Sequence, residues 1–357
     1  MLGMMEIKTG KQWGFLLTTA LAASLVAPQA SALTTLTNNI YEAHIADTAS
    51  GGQYGSWNAI TAPGHPTGAG NNILFSGTTV TTNFSSLRLY SPTGGSTDYT
   101  FGGRGGATNL DSFFTSEGAS AFGANGWNTN WNVTPEGLGI SQDVVVAGTG
   151  FANSAVYHTV AITNNNTTGS LAIGWRNLYD WTVNDPGFDD GPNNSIRNID
   201  GTVVVAATTN EFTHTPGADE YARVTVDPGV PTYEPLLALG YDPALIASLP
   251  LTTPEEYAYV SWPSSVGTAF DYTVNTAQNV TGDSAGLSWF GRSAASAISI
   301  AAGESVRLTQ IVFGVPGGGQ PPGVIPEPGT LALIGFGLAG LGFARRRRQS
   351  LKSQLPA

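Results

Sequence analysis

Residues 155–175 read AVYHTVAITNNNTTGSLAIGW, and their pattern decides the fold class. Val156, His158, Val160 and Ile162 fall on one side of an extended chain, while Tyr157, Thr159 and Ala161 fall on the other. A period of two is the signature of a strand with two different faces. The polar run Asn164-Asn165-Asn166-Thr167-Thr168-Gly169 then interrupts the chain ahead of a second alternating set, Leu171, Ile173 and Trp175. Two alternating runs joined by turn-forming residues predict an antiparallel hairpin.

The same grammar recurs outward in both directions. Strand-like runs bounded by turn residues lie at 73–75, 86–90, 143–147, 201–208, 221–226, 257–262, 269–274, 287–290, 297–300 and 306–315. The last two repeat the hairpin logic: Ile298 and Ile300 lead through Ala301-Ala302-Gly303-Glu304-Ser305 into Val306, Leu308, Gln310 and Val312. One region departs from it. Residues 235–249 carry Leu236, Leu237, Leu239, Leu245, Ile246 and Leu249 around Gly240-Tyr241-Asp242-Pro243, and predict one or two short helical turns over a sheet edge or opening. Many strands and little helix give an all-β fold, a large antiparallel β-sandwich with short helical turns. No compositional linker interrupts 33–315, so this body is expected to be one domain.

Composition narrows the function classes. Between residues 33 and 330 there are 24 acidic side chains against seven arginines and no lysine, a formal charge of −17. Nucleic acid is excluded as a partner, because phosphate binding needs the opposite balance. The chain has no cysteine, so disulfides do not staple the fold and stability must come from the core.

The two ends carry signals of a different kind. Lys8 and Lys11, an apolar stretch over 13–26, and the small residues Ala30-Ser31-Ala32 make a secretory signal peptide over 1–32, a signal helix cut after Ala32. At the other end, the Gly/Pro linker 316–325 precedes Pro326-Glu327-Pro328, an apolar run over 331–344 and Arg345-Arg346-Arg347-Arg348, with 349–357 left as a cytoplasmic tail. Gly329 to Ala344 are 16 uncharged residues. As a helix they span about 24 Å against a hydrocarbon core of about 30 Å, a marginal transmembrane helix. The arginines would stay on the cytoplasmic side.

This C-terminal order, over residues 324–348, resembles the PEP-CTERM sorting signal of Gram-negative bacteria, whose Pro-Glu-Pro motif, hydrophobic helix and arginine cluster are recognised by exosortase. The resemblance implies export, a transient hold in the inner membrane, cleavage near Pro326 to Pro328, and delivery to the cell surface or extracellular matrix. Signal peptidase and exosortase are the implied partners. An uncut tail anchor is the alternative reading of the same residues.

Within the body, three constellations bear on chemistry. Asp180, Asp185, Asp189 and Asp190, with Asn184, Asn193 and Asn194, offer the oxygen ligands calcium prefers, without the spacing of an EF-hand loop; an acidic surface loop with Asx turns is the plainer reading. The stretch from Trp175 to Gly191 also resembles the Arg-to-Asp-Trp segment of many PEP-CTERM surface proteins. Trp127 and Trp131, among Asn125, Asn128, Asn130 and Asn132, form the best sugar-binding candidate, against the alternative that such aromatics pack in the core. The four histidines, His44, His65, His158 and His214, have no zinc-ligand spacing, and His158 among apolar strand positions reads as a hydrogen-bonded core or edge residue. Gly102-Gly103-Arg104-Gly105-Gly106 reads as a flexible loop. A catalytic motif is not recognisable, so a non-enzymatic surface protein meeting exopolysaccharide or calcium is favoured over a secreted carbohydrate-active enzyme with a carboxylate pair.

Overall fold

A computed structural model of the chain describes residues 33–46, 53–75, 80–119, 123, 125–131, 136–181, 193–225, 233–280, 282–316, 319 and 321. The signal peptide, the PEP-CTERM segment, and Asp185, Asp189 and Asp190 lie outside the described residues. The strands in chain order are β1 (Leu33–Thr37), β2 (Tyr41–Ala46), β3 (Trp57–Thr61), β4 (Phe84–Tyr90), β5 (Ser96–Thr100), β6 (Thr108–Asn109), β7 (Phe114–Ala119), β8 (Gly126–Trp131), β9 (Leu138–Ala147) and β10 (Ala155–Asn164). They continue as β11 (Leu171–Trp181), β12 (Asn193–Asn198), β13 (Val203–Thr208), β14 (Phe212–His214), β15 (Glu220–Thr225), β16 (Tyr233–Ala238), β17 (Glu256–Ser261), β18 (Ser284–Phe290), β19 (Ile298–Ile300) and β20 (Ser305–Pro316).

The fold is an all-β sandwich. One sheet runs β13-β12-β15-β16-β20-β10-β9-β8-β7 and the other β14-β17-β18-β11-β4-β5-β6, with β19 beside β11. A three-stranded sheet, β1-β2-β3, adds Tyr41, Ile45 and Trp57 to the same core. Pairing is antiparallel except between β5 and β6.

The predicted strands over 155–164 and 171–181 are present, but they are not a hairpin. β10 pairs with β9 and β20 in the first sheet, whereas β11 pairs with β4 and β18 in the second. Likewise β19 pairs with β11 and β20 with β10, so the predicted closing hairpin is also a crossing between sheets. Each polar connection spans the gap of about 10 Å between facing sheets instead of turning within one. Asn164 ties the two crossings together. Its side-chain amide donates to Gly169 O (3.2 Å) and Ile300 O (3.0 Å), its N–H donates to Glu304 O (3.0 Å), and its carbonyl accepts from Gly303 N (2.8 Å).

Between the sheets, two apolar clusters flank a polar layer. Asn177 of β11 donates to Gln310 Oε1 of β20 at 2.6 Å, Tyr179 OH donates to the same oxygen at 2.7 Å, and Gln310 Nε2 donates to Ser288 Oγ at 3.1 Å. Trp175 Nε1 and Ser85 Oγ both donate to Asn177 Oδ1. Such a layer specifies register, because sliding one sheet would orphan several buried polar atoms at once. His158 lies in the same interior, 2 % exposed, its Nε2 2.9 Å from Gln142 Oε1. Gln142 Nε2 donates to Gly55 O, so its oxygen is left to accept from the imidazole.

Two further expectations are corrected. Residues 233–238 are a strand inside the nine-stranded sheet, with Pro235 opposite Gly314, and not a helical turn. Leu236 and Leu237 are fully buried there, and the residues after Gly240 follow as irregular chain whose Leu245 and Ile246 pack on the core. Residues 269–274 are irregular instead of a strand. They cover the outer face of the second sheet, where Phe270 O accepts from Trp289 Nε1 at 3.0 Å and from Arg176 Nη1 at 3.2 Å.

Candidate functional site

The outer face of β8, β9, β10 and β20 presents polar side chains in register. One row is Asn128, Asp143, Thr159 and Thr309; the next is Asn130, Ser141, Ala161 and Arg307; a third sets Gly139 beside Thr163 and Ser305. Neighbouring strands stand about 4.8 Å apart, so the rows make a flat surface of amides and hydroxyls. Asn128 Nδ2 donates to Ser141 Oγ and to Asp143 Oδ1, both at 2.7 Å, and Asn130 Nδ2 donates to Asn128 Oδ1 at 2.6 Å. Thr163 and Ser305 share a hydrogen bond of 2.7 Å across β10 and β20. Burial pushes the Asp143 carboxyl above its usual range, opposed by the Asn128 hydrogen bond and the charge of Arg307. The first row is partly closed over, with Thr159 and Thr309 buried, while Ser305 and Arg307 are exposed.

This arrangement divides the sugar-binding candidate. Trp127, Thr129 and Trp131 lie opposite Val144, Gln142 and Ile140 on the inner face of β8, whereas Asn128 and Asn130 lie on the outer face. Trp131 is 2 % exposed and stacks on Phe101 at 5.0 Å and 12° between planes, and Trp127 packs against the core. Neither tryptophan is an exposed platform. The alternation of Trp at odd and Asn at even positions was itself the signal, since period two puts them on opposite faces.

Asp180, the one described member of the acidic set, is 1 % exposed at the end of β11. Its N–H donates to Asn83 Oδ1 at 2.6 Å and its carbonyl accepts from Phe75 N at 2.9 Å. Its charge acts on Arg104, whose guanidinium is pushed down by burial and held up by Asp180. Among the described residues, no three His, Cys, Asp or Glu side chains gather as a metal site requires. Arg104 donates to Thr81 O at 2.7 Å and lies 4.5 Å over the Phe84 ring. The loop that carries it is shaped, not slack: Gly105 has φ +61°, and a Cβ there would stand 2.3 Å from Ala269 N.

Two grooves flank β5. One, of about 280 Å³, is lined by Asp98, Gly105 and Thr108 among others. Asp98 is engaged there by Arg88, whose Nε and Nη2 donate to its two oxygens at 2.7 and 2.8 Å. The other, of about 500 Å³, is lined by Leu89, Pro92, Leu171 and Glu136 among others. Each offers one carboxylate, so neither holds the facing pair that glycoside hydrolysis uses.

Sequence reading missed two histidine–carboxylate contacts, His44 Nε2 to Glu42 Oε1 at 2.6 Å and His214 Nε2 to Glu220 Oε2 at 2.7 Å. The first joins residues two apart on β2, on one face of the strand, and this spacing was visible in the sequence.

The class of protein is defined at the C-terminus. Residues 324–348 match the family described as the PEP-CTERM protein-sorting motif. The chain carries this PEP-CTERM sorting domain, which supports export by way of exosortase sorting, and its described body is a β-sandwich. Comparison with curated proteins finds no match.

Among solved structures, a galactose mutarotase related enzyme from Lactobacillus acidophilus is similar at 8% identity and TM-score 0.44, over 79% of this chain and 97% of that one. A protein from Synechocystis is similar at 9% identity and TM-score 0.47, over 81% and 97%. A galactose mutarotase-like protein from Lactobacillus casei is similar at 8% identity and TM-score 0.38, over 79% and 100%. Likenesses this distant carry nothing about what this chain binds.

Among the described residues, no helix is long and apolar enough to cross a membrane. The segment 331–344 lies outside them.

Proposed function

We propose that the chain is a non-enzymatic surface or matrix protein whose sandwich body is displayed outside the cell and holds exopolysaccharide on the outer face of β8, β9, β10 and β20. The carrying observation is the sorting motif at 324–348, which supports a route out of the cell. In this reading signal peptidase cuts after Ala32, residues 331–344 hold the chain in the inner membrane, and exosortase cuts near Pro326 to Pro328. The intact mass of the surface-released form is expected to end near those prolines. A released form that retains Arg345 to Arg348 would rule the reading out.

The outer face supports the polysaccharide part. Its polar side chains are hydroxyls, amides, the Asp143 carboxyl and one exposed arginine, groups that match sugar hydroxyls. A double variant, Asn130→Ala with Arg307→Ala, is expected to reduce co-sedimentation with the native polysaccharide by roughly tenfold, the effect of losing a few hydrogen bonds. Arg307 is exposed and Asn130 half-buried on the outer face, so the melting temperature should move by no more than about 4 °C. Undiminished co-sedimentation would remove this face from the account.

A further inference from the structure

We infer that Arg307 makes the outer face of β8, β9, β10 and β20 a site for a carboxylate-bearing sugar, a uronic acid residue set at intervals along an otherwise neutral chain. This deepens the polysaccharide reading above and rests on it. The body has seven arginines and no lysine. Arg88 is held in ion pairs with Asp98 and Asp271, Arg223 with Glu234, and Arg292 with Glu256. Arg104 donates to Thr81 O, Arg176 to Thr268 O and Phe270 O, and Arg197 to Gly201 O. Arg307 is the seventh. It is exposed, and its guanidinium makes no hydrogen bond or ion pair with any described residue.

Its surroundings supply no substitute partner. Across the sheet Arg307 is followed by Ala161, then Ser141, then Asn130. Ala161 is too short to meet the guanidinium. In the adjoining row the Asp143 carboxyl is taken by Asn128 Nδ2 at 2.7 Å, and Thr159 and Thr309 bond one another at 3.0 Å. The fork of Arg307, with its five N–H donors, is therefore open to solvent at one end of a row of polar side chains. Three strand spacings of about 4.8 Å put Asn130 about 14 Å away. A sugar chain laid across the strands sets its carboxylate on Arg307 and its hydroxyls over Ser141 and Asn130.

Charge narrows the class. A planar carboxylate takes two parallel hydrogen bonds from a guanidinium, whereas a neutral sugar leaves that fork without a counter-charge. A polymer charged on every ring needs several cations, and the body offers one free guanidinium against a formal charge of −17. A carboxylate touching Arg307 lies well inside the screening length of about 8 Å, while most of the acidic body acts on it through that screen. Spaced charge fits this face and dense charge does not.

The test is calorimetric titration of the exported chain with four probes: a tetrasaccharide of three glucoses and one glucuronate, its methyl ester, a glucose tetramer and a galacturonate tetramer. At about 0.05 M salt the glucuronate probe is expected to bind about tenfold more tightly than the ester or the glucose tetramer, with the margin shrinking at about 0.5 M. The galacturonate tetramer should bind no more tightly than the glucuronate probe. Arg307→Gln is expected to abolish the margin, and Arg307→Lys, which keeps the charge without the fork, to retain only part of it. Ala161→Asp places a carboxylate beside the guanidinium and should abolish the margin with Arg307 still present. Equal binding of the glucuronate probe and its ester, or a margin that survives Arg307→Gln, would overturn the inference and leave the neutral-sugar reading of the face in place. Tighter binding of the galacturonate tetramer would overturn the spaced-charge assignment. An Arg307-dependent margin with no effect of Asn130→Ala on any probe would uphold the inference and remove the amides from the face. No binding of any probe at millimolar concentration would overturn both.

Discussion

Replacing Arg176 with methionine is expected to destabilise the body by about 1–3 kcal/mol, the cost of leaving buried acceptors without their donor. Arg176 is fully buried on β11, and burial pulls its guanidinium down to about 9. It donates to Thr268 O and Thr268 Oγ1 at 2.8 Å each, to Phe270 O at 3.2 Å and to Ser86 Oγ at 3.2 Å. These acceptors are neutral, and three of the four belong to Thr268 and Phe270 in the chain laid over the sheet. Methionine keeps much of the volume but leaves Thr268 O without its donor, so the segment should detach first. Urea unfolding reads the global loss, and limited proteolysis should show new cleavage between residues 266 and 272. An unchanged unfolding midpoint would mean that this segment is held by its apolar contacts alone.

Replacing His158 with glutamine is expected to weaken the loss of stability in acid. Burial pushes its imidazole down to about 3, so between about pH 6.5 and 3 the unfolded chain takes up a proton that the folded chain refuses. Stability from this group is therefore lost as pH falls through that window, by about 1.4 kcal/mol per pH unit. Asp111 acts in the opposite direction. Burial pushes it up to about 7, so the folded chain binds its proton earlier and gains stability as pH falls from about 7 to 4. In the native chain the two oppose one another; His65, whose imidazole burial also pushes down, sides with His158, and Asp143, pushed up by burial, sides with Asp111, so His158→Gln removes one of the losses and leaves the other groups in place. The difference between native and variant stability curves should widen by about 1.4 kcal/mol per unit below pH 6.5. Parallel curves would show that His158 is protonated in the fold.

Fold class was legible because alternation is a local property of the chain. Partner choice was not. Val156, His158 and Val160 announce a strand with two faces, yet nothing in residues 164–170 distinguishes a turn within a sheet from a step to the facing one. Residues 235–249 misled in a similar way: leucines around Gly240-Tyr241-Asp242-Pro243 read as helical turns, whereas Leu236 and Leu237 lie in a strand whose sheet tolerates Pro235 opposite Gly314. Strands β1 to β3 escaped notice because they are short and rich in Thr, Asn and Ala, with burial supplied by Tyr41, Ile45 and Trp57. The outer polar face was half legible, since the asparagines of β8 were singled out while their partners on β9, β10 and β20 are distant in sequence. Arg176 was readable as a residue type but not as a buried one, because its cover arrives from residues nearly a hundred positions later.

The Asn164 junction bears on how such a chain acquires its shape. Each crossing it fastens joins strands that are neighbours in sequence but belong to opposite layers, so neither crossing rewards early local closure. Both sheets must be largely assembled before Asn164 can make its contact with Ile300, 136 residues away. Long-range pairing of this kind slows folding and leaves a chain extended for longer. For a protein that leaves the cell, late fastening keeps the chain threadable until translocation is over.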